Sequence, residues 1–240
     1  DCLDNLYIVN KDSAFKINLI EKNVYYEKGL EIESFKEKLL PCVTNLNNIT
    51  YLKQYYYNNQ VLSYYSINSE DSLLKEFRII ADYAGLRMLI DRDRFNAMGT
   101  KPPSEADKRF EEMCFFDPIF APLVKVKDKI CIFNYVDSVI EIYNKYGKSV
   151  NEIPVRFHSD KTWKEEIYVD NITGKVFTLF KKNGISTIKE INMTDGKLER
   201  SIKIPNLYFI EKIKINDDCI YFLYRKNEPA DLMKLYKLEM

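Results

Sequence analysis

ICIFNYVDSVIEIYNKYGKSVNEIP, residues 130–154, and VFTLFKKNGISTIKEINMTDGKLERSIKIP, residues 176–205, are two copies of one pattern. Each runs from an apolar stretch through a polar turn to a second apolar stretch, then a Gly-Lys turn, then a strand that ends on Ile-Pro. The landmarks are Ile130, Gly147-Lys148 and Ile153-Pro154 in the first copy, and Val176, Gly196-Lys197 and Ile204-Pro205 in the second. Cys219-Ile220-Tyr221-Phe222 opens a third copy. The step is about 45 residues, and a repeat of that length made of four short strands is the signature of a β-propeller blade.

The flanking sequence extends the pattern. Leu123 to Val126 alternates apolar and polar residues, and Asp128 supplies a turn before Ile130. Trp163 and Ile167-Tyr168-Val169 begin the following blade, with a turn at Asn171 to Gly174. Asn183-Gly184 and Asp195-Gly196 are strong two-residue hairpin signals, because both central residues of such a turn take positive φ. The last blade offers only three strands, at Ile210–Ile215, Cys219–Tyr224 and Leu232–Leu238. Leu6 to Val9 is the expected fourth, so the two ends of the chain are expected to pair within one blade and so remove exposed sheet edges.

The N-terminal half reads less regularly. Leu6–Asn10, Phe15–Ile20 and Asn23–Tyr26 make one group of strands, and Ile49–Tyr57, Val61–Ile67 and Leu73–Ile80 make another. From Arg92 to Phe116 the alternation breaks. Ser104, after Pro102-Pro103 and before acidic residues, predicts the start of a short helical insertion near residues 104–113, because a Ser cap and early acids suit a helix N-terminus. The expected fold class is all-β, a β-propeller of four-stranded antiparallel blades. Blades are placed at 1–40, 45–83, 119–158, 163–205 and 207–240 in a single domain, with an insertion over 84–118. A sixth blade would draw on Leu86 to Ile90.

Lys plus Arg and Asp plus Glu both number 36, so the chain is formally neutral. Nucleic-acid binding needs a basic excess on some face, and no nucleic-acid partner is expected. Eighteen Tyr and fourteen Phe favour half-buried pleated surfaces. No apolar stretch is long enough to span a membrane. Neither a phosphate-binding loop nor a dinucleotide fingerprint occurs, and no cofactor is expected.

The blade motifs carry a resemblance. Ile130-Cys-Ile-Phe-Asn-Tyr135, Ile140-Glu-Ile-Tyr-Asn-Lys-Tyr-Gly-Lys148, and the ending from Phe209 to Ile215 and Tyr221 to Arg225 resemble the TolB-like six-bladed β-propellers common in Gram-negative gut bacteria. These motifs cover about half of the chain. The resemblance implies a closed six-bladed ring, export to the periplasm or outer membrane, often as a lipoprotein, and no catalytic motif to carry over. It admits a lipid anchor upstream, and the protein is expected to be a monomer.

Five cysteines show no metal-ligand spacing, and their odd number argues against a complete disulfide framework while leaving one bridge open. Cys131 and Cys219 sit at matching points of apolar strands and read as small hydrophobes. His158, the only histidine, stands before Ser159-Asp160, but adjacency in sequence is no evidence for a triad. Glu165-Glu166 alternate faces of a strand, and Asp217-Asp218 suit a turn. No catalytic residue and no metal ligand is assigned. Arg92 and Arg94 of Asp91-Arg-Asp-Arg94 read as a rim loop with arginine anchors or as an ion-paired surface turn. Tyr56 and Tyr64, from Tyr55-Tyr-Tyr57 and Tyr64-Tyr65, read as stacking platforms for a ligand or as packing between blades.

The leading functional expectation is a non-catalytic exported propeller that binds a protein or glycan through a blade rim. The alternative is a propeller hydrolase or lyase acting on a carbohydrate or lactone in a central channel, marked by acids converging from several strands. A third is a scaffold whose terminal strands drive oligomerisation.

Overall fold

The computed structural model describes residues 2, 5–20, 23–38, 41–70, 73–99, 104–106, 116–204, 207, 210–225 and 232–240. The chain divides into two compact units, Asp1–Ala121 and Pro122–Met240. Among the described residues five antiparallel sheets of the β-propeller blade type follow one another, two in the first unit and three in the second.

In the first unit, β1 (Leu6–Val9), β2 (Ser13–Ile20) and β3 (Asn23–Tyr26) form a meander, and the short β4 (Leu30–Glu31) pairs with β2 at Ser13 and Ala14. The Asn10 side chain accepts from the N–H groups of Asp12 and Ser13 and closes the first turn. This sheet buries little, and all four residues of β3 are exposed. A covalent tie compensates. After α1 (Ile32–Lys38), Cys42 at the head of the next sheet is disulfide-bonded to Cys2 across 40 positions. Closing a loop of that length removes about 4 kcal/mol of chain entropy from the unfolded state.

The second sheet runs β5 (Cys42–Leu46), β6 (Ile49–Tyr56), β7 (Val61–Asn68) and β8 (Leu74–Ala81). Asn47 and Asn48, at φ 51° and 61°, make the two-residue turn between β5 and β6. Then comes α2 (Tyr83–Met98), capped by the Asp82 carboxylate, which accepts from the N–H groups of Ala84 and Gly85 at 3.0 and 3.1 Å. Gly85 is required by packing, since a Cβ there would strike the Gln60 side chain. Buried Gln60 donates in turn to the carbonyls of Asn58 and Asp117, so it binds the β6–β7 turn to the segment that follows the helix.

The second unit is more regular. Its first sheet runs β9 (Leu123–Val126), β10 (Lys129–Asn134), β11 (Val139–Tyr143) and β12 (Ser149–Pro154). A 3-10 turn at Phe157–Ser159 leads to β13 (Trp163–Val169), β14 (Val176–Lys182), β15 (Ile185–Ile191) and β16 (Leu198–Lys203). The last sheet has three strands, β17 (Ile210–Asn216), β18 (Cys219–Tyr224) and β19 (Lys234–Glu239).

The sheet β13–β16 is buried on both faces. Val176 and Ile191 join Cys131, Phe133, Ile140, Ile142, Ile153 and Val155 on one side. Phe177, Leu179 and Ile188 join Ile215, Ile220 and Phe222 on the other. Asp170, in the β13–β14 loop, fastens the second interface. Fully buried, its carboxylate accepts from the N–H groups of Ile172 and Thr173 in its own loop, and of Asp217 and Asp218 in the β17–β18 turn. Lys175 adds an ion pair to Asp218 at 2.7 Å. Burial alone would raise the Asp170 carboxyl, but the backbone donors outweigh it and hold it down at about 2.

Several expectations are corrected. Leu86–Ile90 is part of α2 and supplies no strand, so the sheets among the described residues number five and not six. Among the described residues β1 pairs with β2 and β19 with β18. Asn183 and Gly184 form the expected two-residue turn, both with positive φ. Asp195-Gly196 does not, since only Gly196 is left-handed and it closes a six-residue Asn192–Lys197 loop instead. Of the helix expected near 104–113, Glu105 and Ala106 are helical, and 107–113 lies outside the described residues. Cys114 lies outside them as well.

Two stability predictions follow from these ties. Asp170 has a folded pKa below its unfolded value near 3.9, so its contribution is complete above that value and is lost as pH falls toward about 2. Asp170→Asn is expected to lower the unfolding free energy at pH 7 by about 2–3 kcal/mol and to flatten the loss between pH 5 and pH 2. Urea titrations followed through Trp163, the only tryptophan, measure both. Cys42→Ser, or reduction by dithiothreitol, is expected to destabilise the first unit by about 2–4 kcal/mol. Hydrogen exchange across β2 and β5–β8 would register that loss.

Candidate functional site

The β6–β7 turn is the most strained stretch of backbone in the first unit. Tyr57, Asn58 and Asn59 occupy the left-handed region in succession, at φ 50°, 49° and 65°. Asn tolerates that region, whereas a bulky aromatic residue rarely enters it, at a cost of about 1–2 kcal/mol. The turn is held from three sides: Gln60 N–H donates to the Tyr57 carbonyl, Gln60 Nε2 to Asn58, and Ile119 N–H to Asn59. The result is a tyrosine ring 70% exposed at the mouth of a cleft.

That cleft, about 440 Å³, is lined by Tyr57 and Asn58 on the strand side and by Leu86, Leu89, Ile90, Arg92 and Asp93 on α2. Leu89 is its buried apolar floor, and Ile90 stands half open at the wall. The Arg92 guanidinium lies over the Phe116 ring, 5.4 Å from its centroid, and donates from Nε and Nη2 to Asp93. The site therefore has an apolar base, an aromatic lip and a cation held in place by a ring and a carboxylate.

The sequence-derived candidates are distributed unevenly around this cleft. Arg92 lines it. Arg94 does not: two residues along a helix are about 200° apart, and Arg94 projects into solvent beside Asp91 at 3.9 Å. Tyr64 is corrected outright. It is 1% exposed, its hydroxyl donates to the Ala121 carbonyl at 2.6 Å, and it offers no face to a ligand. Tyr56 is half-buried and shares a 2.8 Å hydroxyl hydrogen bond with Tyr65, which raises its pKa. Tyr57 is the tyrosine of the run that reaches the cleft. Strand alternation could not identify it, because it lies past the end of β6, where the chain reverses.

In the second unit, the adjacent Ser159 and Asp160 do not serve His158. Ser159 donates to the Arg156 carbonyl, and the Asp160 carboxylate accepts from the N–H and hydroxyl of Thr162. His158 packs among Tyr135, Phe157 and Trp163, with Nε2 3.3 Å from the Ser138 hydroxyl and Nδ1 buried without a hydrogen-bond partner. Burial lowers its pKa. The Trp163 indole donates to Thr178, which donates to the Glu166 carbonyl, so the tryptophan is fixed to the sheet.

A buried polar group had no signal in the sequence. Asn134, fully buried, donates from Nδ2 to both Asp137 and Glu141, and Tyr143 donates its hydroxyl to the second oxygen of Glu141. Both oxygens of that acid are engaged. Cys131 and Cys219 are free and buried as expected, and burial pushes the Cys131 thiol up to about 12.

No family model matches the chain, and no curated protein matches it in sequence. Solved structures do match along nearly the whole chain. A luciferin-regenerating enzyme aligns at 9% identity and a TM-score of 0.48, covering 98% of this chain and 72% of the other. A streptogramin B lyase aligns at 12% identity and a TM-score of 0.40, covering 100% and 67%. The β-propeller domain of the Trilobed protease from Pyrococcus furiosus aligns at 10% identity and a TM-score of 0.38, covering 98% and 77%.

Proposed function

We propose that this chain is a non-catalytic binding propeller that engages a protein ligand through the cleft between the β6–β7 turn and α2. The observation that carries this reading is Tyr57, held in a left-handed conformation that suits glycine while its ring stands 70% exposed. Strain maintained by three hydrogen bonds around a solvent-facing aromatic ring is the kind of cost that folds retain at ligand-binding positions. The helix supports the same use. Tyr83, Met88, Ile90, Phe95 and Met98 are all more than half exposed along α2, an apolar surface that suits a partner better than water.

A protein side chain fits the cleft better than a sugar does. Its walls are aliphatic, and its main polar group is an arginine already aligned by Asp93 and Phe116. Apolar pockets rimmed by Tyr and Arg are the usual anchors of protein recognition. The proposal includes export to the periplasm or outer membrane and the TolB-like affiliation. The Cys2–Cys42 bond supports export, because stable disulfides belong to oxidising compartments.

A photocrosslinker placed at Tyr57 or at Ile90 in cells is expected to capture the same envelope protein, and one at Arg94 to capture none. Tyr57→Ala is expected to weaken binding of that protein at least thirtyfold, the scale of an interface hot spot. Tyr57→Gly separates binding from folding. It is expected to weaken binding equally while raising the unfolding free energy by about 1 kcal/mol through relief of the left-handed strain. A glycan array that selects a neutral glycan through Tyr57 would replace the protein ligand by a sugar. Binding indifferent to Tyr57, Ile90 and Arg92 would refute the site.

A further inference from the structure

A second cleft, in the second unit, is built differently. It lies between the end of β12 and the β15–β16 loop, measures about 560 Å³, and is walled by Pro154, Arg156, Phe157, Asp195, Lys197 and Leu198. Three features make it rigid. Gly196, at φ 74°, seats the loop so closely on β12 that a Cβ would strike the Pro154 carbonyl, so the base cannot slide. The Phe157 ring is fixed by Tyr135 at 5.9 Å and Trp163 at 6.2 Å. Lys197 is held at the rim by Asp195 at 2.9 Å.

Arg156 is the exception. Its exposed guanidinium has no hydrogen bond or ion pair among the described residues. Asp195, the acid that lines the cleft, is committed to Lys197. A free guanidinium beside a fixed aromatic ring is a fork for a carboxylate with an apolar surface next to it for the rest of the ligand. Backbone donors are scarce around the cleft: Pro154 has no N–H, and the N–H groups of Val155, Gly196 and Lys197 donate within the protein. β12 and β16 are edge strands of their sheets, but an extended peptide would find few free backbone donors to pair with at this end of them. A sugar ring needs none, since its C–H face packs on an aromatic ring while its carboxylate meets the guanidinium.

We propose that this cleft binds a carboxylate-bearing saccharide, with Arg156 receiving the acid group and Phe157 and Leu198 receiving the ring. The proposal does not rest on the reading of the α2 cleft. Calorimetric titration of the full chain with a sialylated trisaccharide and a glucuronate-terminated trisaccharide, each beside lactose, tests the proposal. At least one acidic sugar is expected to bind saturably, at least tenfold more tightly than lactose, and more weakly as salt rises. Arg156→Gln is expected to abolish that preference while keeping the wild-type melting temperature, and Tyr57→Ala to leave it unchanged. Absence of saturable binding by both acidic sugars, or equal binding by Arg156→Gln, would overturn the site. A triglutamate peptide that binds as tightly as the sugars would overturn the saccharide assignment.

Discussion

A four-stranded meander has two faces, and the C-terminal unit is organised by the need to bury both faces of β13–β16. Val176 turns to one neighbouring sheet while Phe177 and Leu179 turn to the other, so β14 is buried along its apolar length. Each such side chain contributes about 1.5–3 kcal/mol of burial. Burial is non-directional, however, and fixes neither the register nor the angle between sheets. That specificity comes from the polar contact of Asp170 with the β17–β18 turn. The turn can present two N–H groups to one carboxylate because Asp217 and Asp218 both take positive φ, at 52° and 51°.

The same constraint explains which parts of the fold could be read from the sequence. Strands packed from both sides must be apolar at nearly every position, and the turns between them need particular residues. The C-terminal blades therefore show in the sequence as runs such as ICIF and VFTLF, the second followed by the Asn183-Gly184 turn. The N-terminal unit lacks that pressure. Its first sheet leaves β3 exposed and relies on a disulfide between two cysteines whose spacing matches no motif. The α2 helix was hidden for a related reason. Only Gly85 and Leu89 are buried along sixteen residues, so no apolar stripe of helical period exists to be read. Its clearest sign is local, the Asp82 cap immediately after β8.

The candidate sites were less legible still, because they depend on where the chain turns. The tyrosine run promised exposed rings, and parity along the strand was the only guide to which ones. The left-handed turn after Tyr56 breaks parity, while Tyr64 keeps the parity of Leu62 on the buried face of β7. Tyr64 thus falls into the core and Tyr57 onto the rim. Arg92 and Arg94, adjacent in a charge pattern, are separated by helical geometry. Arg156 carried no pattern at all, and its significance lies in the absence of a partner while Asp195, the acid that lines the same cleft, is paired with Lys197.

The two clefts show how an antiparallel sheet can prepare a surface for a ligand in opposite ways. At Tyr57 the backbone is strained, and the hydrogen bonds of Gln60 and Ile119 hold the strain in place. Binding there gains from a ring that has already been lifted out of the fold, so its ordering cost is met before the ligand arrives. At Arg156 the backbone is relaxed, since the left-handed position falls to a glycine, and the unmet demand is electrostatic. A strained apolar lip rewards a ligand that covers surface, and an unpaired guanidinium rewards one that brings charge.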